Sequence, residues 1–223
     1  MSGSLRRSVS MRLQTKGKRD NRHFITIKTF RIMANWASTS YVIEGSKAEV
    51  SKVYQVIDDF MSGRKQPVAE TASDGWEGNI VKMLGATDEQ MKKYLRGFIQ
   101  YYEYDGDVLR IDAEEAWGAT DFYEVLGELM PNLTIYFSVE EPGCEIYATN
   151  DAEGKYFADR FYVESAVNNN YAHEYFTEKK DAMSYVAELL GRENVSKEEL
   201  DKWNEEQEDY DAYIYVHEYK VVA

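Results

Sequence analysis

The stretch LRGFIQYYEYDGDVLRIDA, residues 95–113, holds two β-rich runs, Leu95–Glu103 and Val108–Ala113, around Asp105-Gly106. An Asp-Gly step between such runs predicts a β-hairpin. Before it, Trp36–Glu44 alternates apolar and polar residues and stops at Gly45, which reads as a strand. Ser46-Lys-Ala-Glu49 then has the spacing of a capping box. Val50, Val53, Tyr54 and Ile57 follow as the apolar stripe of a helix closed by Met61-Ser62-Gly63. Residues 64–75 read as a surface loop, and Trp76–Leu84 and Asp88–Tyr94 as two short helical pieces broken at Gly85. After the hairpin, Thr120 or Asp121 caps a helix striped by Phe122, Val125, Leu126 and Leu129. Pro131-Asn132 ends it, and Leu133–Val139 alternates as a strand. The order is βαββαβ with a helical insertion. That order predicts an α+β fold with a ferredoxin-like core, two helices covering one face of an antiparallel sheet.

Further along, Glu140-Glu-Pro-Gly143 reads as a type II turn. Cys144–Thr149 and Lys155–Glu164 are expected to pair around Asn150–Gly154 as a second hairpin that extends the sheet. Asn168–Asn170 reads as a loop and Thr177–Leu190 as a helix. Ser196-Lys-Glu-Glu199 is another capping box, opening an acidic helix to about Asp209, and Ala212–Val222 alternates as one closing strand. The echo of His173-Glu-Tyr175 in His217-Glu-Tyr219 is too short to be a repeat. The expected organisation is a basic segment over residues 1–32, read as a disordered tail or an upstream extension. A ferredoxin-like domain follows over 33–164, with an α/β extension over 165–223 packed on it.

Charge divides the chain at the same place. The 223 residues carry 26 Lys+Arg against 40 Asp+Glu, a net of −14, yet residues 1–33 hold nine basic residues and only one acid, Asp20. The rest has a net charge of −22. A 43% hydrophobic composition with three prolines excludes collagen-like and low-complexity classes. The single cysteine, Cys144, cannot form an internal disulfide, which fits a reducing compartment. No apolar run reaches the roughly 20 residues that span a bilayer, and the start lacks the apolar region of a secretory signal. The expected location is cytoplasmic, without membrane attachment.

Several short stretches share a further likeness: Met33-Ala-Asn-Trp36, Glu115-Ala-Trp117, Glu140-Glu-Pro-Gly143 and Thr149-Asn-Asp-Ala-Glu-Gly-Lys-Tyr156. They resemble the YubB-like ferredoxin-fold family, accessory proteins often carried on bacterial plasmids, prophages and conjugative elements. The resemblance spans about residues 33–164. It implies a ferredoxin-like core beginning near Met33 and brings no catalytic or binding residues with it.

Motifs of chemistry are sparse. Three histidines without His-x-x-x-His spacing and one cysteine argue against zinc, and Asn150–Gly154 lacks the ligand spacing of an EF-hand. Phosphate-loop, dinucleotide and nucleophile-elbow signatures are missing, so no catalytic residue, metal or cofactor is expected. Cys144 reads as a small buried hydrophobe and the tryptophans as packing residues. Glu114-Glu115 and Glu140-Glu141 read as solvated charge, since neighbours on a strand face opposite ways. The densest feature is Glu198, Glu199, Asp201, Glu205, Glu206, Glu208, Asp209 and Asp211 with only Lys202 among them. Tyr101, Tyr102, Tyr104, Tyr210 and Tyr213, amphipathic rings beside carboxylates, are the aromatic contact candidates. Together they predict a non-enzymatic interaction protein of a bacterial mobile element, an inhibitor or nucleic-acid mimic that binds a basic protein partner. The alternative is a nucleic-acid-binding accessory protein that uses the basic N-terminal segment, because the acidic body repels phosphate.

Overall fold

A computed structural model describes residues 35–69, 72–118, 120–207 and 212–222. The basic segment 1–32 lies outside the described residues. The fold is α+β, and its first half follows the predicted order: β1 (Trp36–Glu44), α1 (Lys47–Met61), α2 (Glu77–Leu84), β2 (Gly97–Tyr104), β3 (Leu109–Ala116), α3 (Phe122–Leu129) and β4 (Thr134–Glu141). These strands lie in the order β2-β3-β1-β4, every neighbour antiparallel. Ser46 caps α1 by accepting the Glu49 amide at 3.3 Å. The Glu49 carboxylate takes the Ser46 hydroxyl, not its amide, so only half of that box forms. The expected second helical piece at 88–94 shrinks to one 3-10 turn, Gln90–Lys92.

Period-two alternation sends Ala37, Tyr41 and Ile43 of β1 inward with Ile111 and Phe137, under Val53, Ile57, Ile80, Phe122 and Leu126 of the helices. The other face of this sheet carries small polar and acidic residues, with Ser40 beside Asp112 and Ser138, and Ser38 between Glu114 and Glu140.

The second half departs from expectation. Its elements are β5 (Ile146–Thr149), β6 (Phe161–Val167), β7 (Asn170–Phe176), α4 (Lys179–Leu189), α5 (Lys197–Glu205), β8 (Tyr213–Glu218) and β9 (Lys220–Val221). Strand β5 adds to β4, and β9 adds to β5 in parallel, giving a mixed six-stranded sheet. The predicted hairpin between 144–149 and 155–164 does not form; β6 instead pairs with β7 and β8 in a separate three-stranded sheet. The intervening loop explains why. The buried Asp151 carboxylate accepts the amides of Lys155, Tyr156 and Phe157 (3.0, 2.6 and 2.9 Å). Arg160 donates to the Asp151 carbonyl at 2.7 Å, so the loop is held compact instead of turning back along β5.

Asn168 and Asn169, both at positive φ, form a two-residue turn into β7, so the loop expected at Asn168–Asn170 is shorter by one residue and a strand begins at Asn170. The closing strand is two strands, β8 in the small sheet and β9 in the large one, dividing at Tyr219. The type II turn expected at Pro142-Gly143 is a 3-10 turn that ends with Glu145 in the left-handed region. One face of the small sheet packs under α4 and α5 through Phe161, Val163 and Ile214 against Ala182, Val186 and Leu200. Among the described residues no helix is long and apolar enough to cross a membrane.

Candidate functional site

The face of the small sheet away from α4 and α5 is aromatic. Register places Tyr162 of β6 between Tyr175 and His217, Glu164 between His173 and Tyr215, and Ala166 between Tyr171 and Tyr213. The brief His-Glu-Tyr echo thus supplies the two strands that flank β6. Toward the large sheet this face is closed. Tyr147 of β5 stacks on His217 with ring centroids 4.3 Å apart, and Tyr162 stacks on Tyr175 at 4.8 Å. His217 Nδ1 meets the Glu145 carboxylate at 3.0 Å, and the Tyr162 hydroxyl bonds His173 Nδ1. At the other end Tyr171, opposite the buried Ala166, is 66% exposed, and Tyr215, opposite Glu164, is 48% exposed.

Where the two sheets meet, the hydroxyls of Tyr175 and Tyr219 both donate to Glu140. Burial, then the nearby Glu140 charge, pushes the Tyr175 phenol up to about 12, and Tyr219 is raised by the same causes. Both therefore remain donors at neutral pH and orient the carboxylate. Glu140 opens onto a cleft of 410 Å³ whose walls are Ser38, Ser40 and Ser138 of the large sheet, Tyr156, Phe157 and Asp159 of the 150–160 loop, and the two tyrosines. Among the described residues two carboxylates line it and no lysine or arginine does. The nearby Lys155 is held by Glu44 at 2.6 Å against the Tyr136 and Tyr156 rings. Aromatic walls with an oriented carboxylate form a surface complementary to an ammonium or guanidinium group.

No protein-family model matches this chain, and no curated protein or solved structure matches it.

The acidic run is less available than its composition implies. Glu199 closes a reciprocal capping box with Ser196, Asp201 pairs with Lys197 at 2.8 Å and Glu206 with Lys202 at 3.6 Å. Glu198 and Glu205 are exposed, and Glu208, Asp209, Tyr210 and Asp211 lie outside the described residues. Of the tyrosines, Tyr101 is 55% exposed on β2. Tyr102 and Tyr104 turn to the helix side and pack on Tyr54, with Tyr102 donating to Asp58 at 2.6 Å. Tyr213 is half-buried and stacks on Tyr215. The predicted aromatic set is therefore divided between the two sheets.

Three further expectations are corrected. Cys144 is exposed, receiving the Asn35 amide at 3.1 Å, because it sits in the 3-10 turn outside both cores. Trp36 and Trp117 are 47% and 42% exposed, so they are not core residues. Glu115 and Glu141 are fully buried, because β3 and β4 run on to 116 and 141 and alternation turns both residues inward. Only Glu114 and Glu140 keep the outward face. Glu115 receives hydrogen bonds from Thr39 and Tyr41, and Thr120 bridges it to the equally buried Glu77. This network fills the space between α2 and the large sheet.

Proposed function

We propose that the chain is a non-enzymatic interaction protein whose acidic, tyrosine-walled cleft at Glu140 takes a basic segment of a partner protein. The observation that carries this reading is the cleft lining: Glu140 and Asp159 among aromatic and hydroxyl side chains, with no lysine or arginine among the described residues. A body of net charge −22 would raise the encounter rate with a cationic partner and discourage nucleic acid. Because three of the five described acids of the run, Glu199, Asp201 and Glu206, already have partners, the cleft is the stronger contact, and the exposed Glu198 and Glu205 supply a peripheral field. The strand order β2-β3-β1-β4 with α1 and α3 on one face supports a ferredoxin-like core within the larger sheet. Together with the short YubB-like stretches, this favours an accessory protein of a bacterial mobile element acting in the cytoplasm.

A fluorescent arginine-rich nonapeptide and its glutamine analogue test the reading by anisotropy. The arginine peptide should bind and lose about tenfold in affinity between about 50 mM and about 300 mM NaCl, as a charge-steered contact does. Asp159→Asn and Glu140→Gln should each weaken it more than Glu198→Gln. Equal affinity for the two peptides would rule the reading out.

A further inference from the structure

The geometry points to a second contact: the outer edge of β8 accepts an extended basic peptide as an added strand. Strand β8 ends the order β7-β6-β8, so its outer side faces no strand among the described residues. Backbone direction alternates along it. The Tyr219 amide turns inward to the Arg160 carbonyl at 2.9 Å. The Ile214 amide and carbonyl turn outward, and both are met by the side-chain amide of Asn204, at 2.9 and 2.8 Å. That side chain makes the pair of bonds a neighbouring peptide group would make. Period two then turns the amides and carbonyls of Val216 and Glu218 outward as well. Neither residue's outward backbone finds a protein partner among the described residues.

Beside this edge runs a groove of 470 Å³ that follows β8 from Ile214 to Glu218, about 13 Å of strand. Met183 and Leu200 give it apolar floor, while Glu145, Glu205 and Glu218 lie along it. Its Lys197 is already paired with Asp201, leaving Lys179 as the other lysine or arginine along it among the described residues. The occupant follows from charge. A second copy paired edge to edge would set Glu218 and Glu205 against themselves, and two bodies of −22 repel. A strand carrying alternate lysine or arginine would answer those carboxylates while its backbone closes the open edge. Main-chain bonds would provide affinity and the charges selectivity. The inference rests on the basic-partner reading only for the sign of the occupant's charge.

The test uses the full chain and the heptapeptide TKVRVKT, two versions N-methylated at alternate residues, and the uncharged TQVQVQT. TKVRVKT should slow hydrogen exchange at the Val216 and Glu218 amides. At least one methylated version should bind about tenfold more weakly, the loss expected when backbone bonds are removed with charge unchanged. Glu218→Pro removes one outward amide at an edge where proline is tolerated, and should weaken TKVRVKT while the far-UV circular dichroism stays unchanged. Both methylated peptides binding as tightly as the parent, or binding without protection at those amides, overturns strand addition and leaves the cleft reading standing. TQVQVQT binding as well as TKVRVKT overturns the basic occupant and leaves strand addition standing.

Discussion

Thr120 carries one hydroxyl proton, yet its oxygen lies 2.7 Å from the Glu77 carboxyl and 2.9 Å from that of Glu115. It can donate to only one, so the other carboxyl must hold a proton and donate back. Burial, and then the charge of Glu115, raise Glu77 well above the ordinary carboxyl value and assign it that proton. The consequence for stability has a definite sign. Below the unfolded value of 4.5 both states hold the proton. Above it the unfolded chain releases the proton while the folded one keeps it. Stability therefore falls as pH rises, by at most about 1.4 kcal/mol per unit, until Glu77 itself ionises. Glu77→Gln, permanently neutral, should remove that decline, so the variant gains on the wild type between about pH 5 and about pH 8 in urea unfolding. Parallel curves for the two proteins would show that Glu77 is not the proton holder. This network was half legible. Alternation with Ile111 and Ala113 turns Glu115 inward once β3 is carried past Ala113, but nothing near Glu77 in the sequence names a partner 38 residues away.

At the scale of elements, local chemistry and the Asp-Gly hairpin of β2 and β3 were readable, and the pairing of the second half was not. Both Ser-x-x-Glu boxes start helices, since a cap needs only residues three apart. The box at Ser196 is complete: its hydroxyl oxygen accepts the Glu199 amide and the Glu199 carboxylate accepts the Ser196 amide, at 3.2 and 2.8 Å. Ser196→Ala should cost about 1 kcal/mol and lower Tm by about 2–4 °C for a chain of this size. The extra hydrogen exchange should concentrate in α5; a uniform rise across the small sheet would mean that α5 unfolds only with its neighbours. The failed hairpin shows the other limit. Cys144–Thr149 and Lys155–Glu164 are both β-rich and close in sequence, but the Asp151 side chain occupies the amides of Lys155, Tyr156 and Phe157. Strand β6 then takes partners that begin at Asn170 and Tyr213.

For the molecule as a whole, the candidate site is assembled from distance. Ser38, Glu140, Tyr175 and Tyr219 meet at one cleft although each comes from a different strand or strand junction, and no spacing rule links them. What the sequence did reveal at this scale was charge, and charge has a consequence for the entire fold. The described lysine and arginine ion pairs, such as Lys93 with Glu128 at 2.9 Å and Arg110 with Asp105 at 3.2 Å, are at least partly exposed and individually worth at most about 1 kcal/mol. Against them stands the mutual repulsion of 39 acidic residues facing 17 basic ones after Met33. Salt screens both terms, but the repulsion is summed over many pairs separated by more than the contact distance, where screening acts first. Raising NaCl from about 20 mM to about 300 mM should therefore raise Tm by a few degrees and then level off as the Debye length falls below about 10 Å. KCl should act identically, because the effect requires no specific ion. A Tm that falls with salt would mean that the exposed pairs outweigh the net charge, and would also weaken the case that this charge steers a basic partner to the cleft.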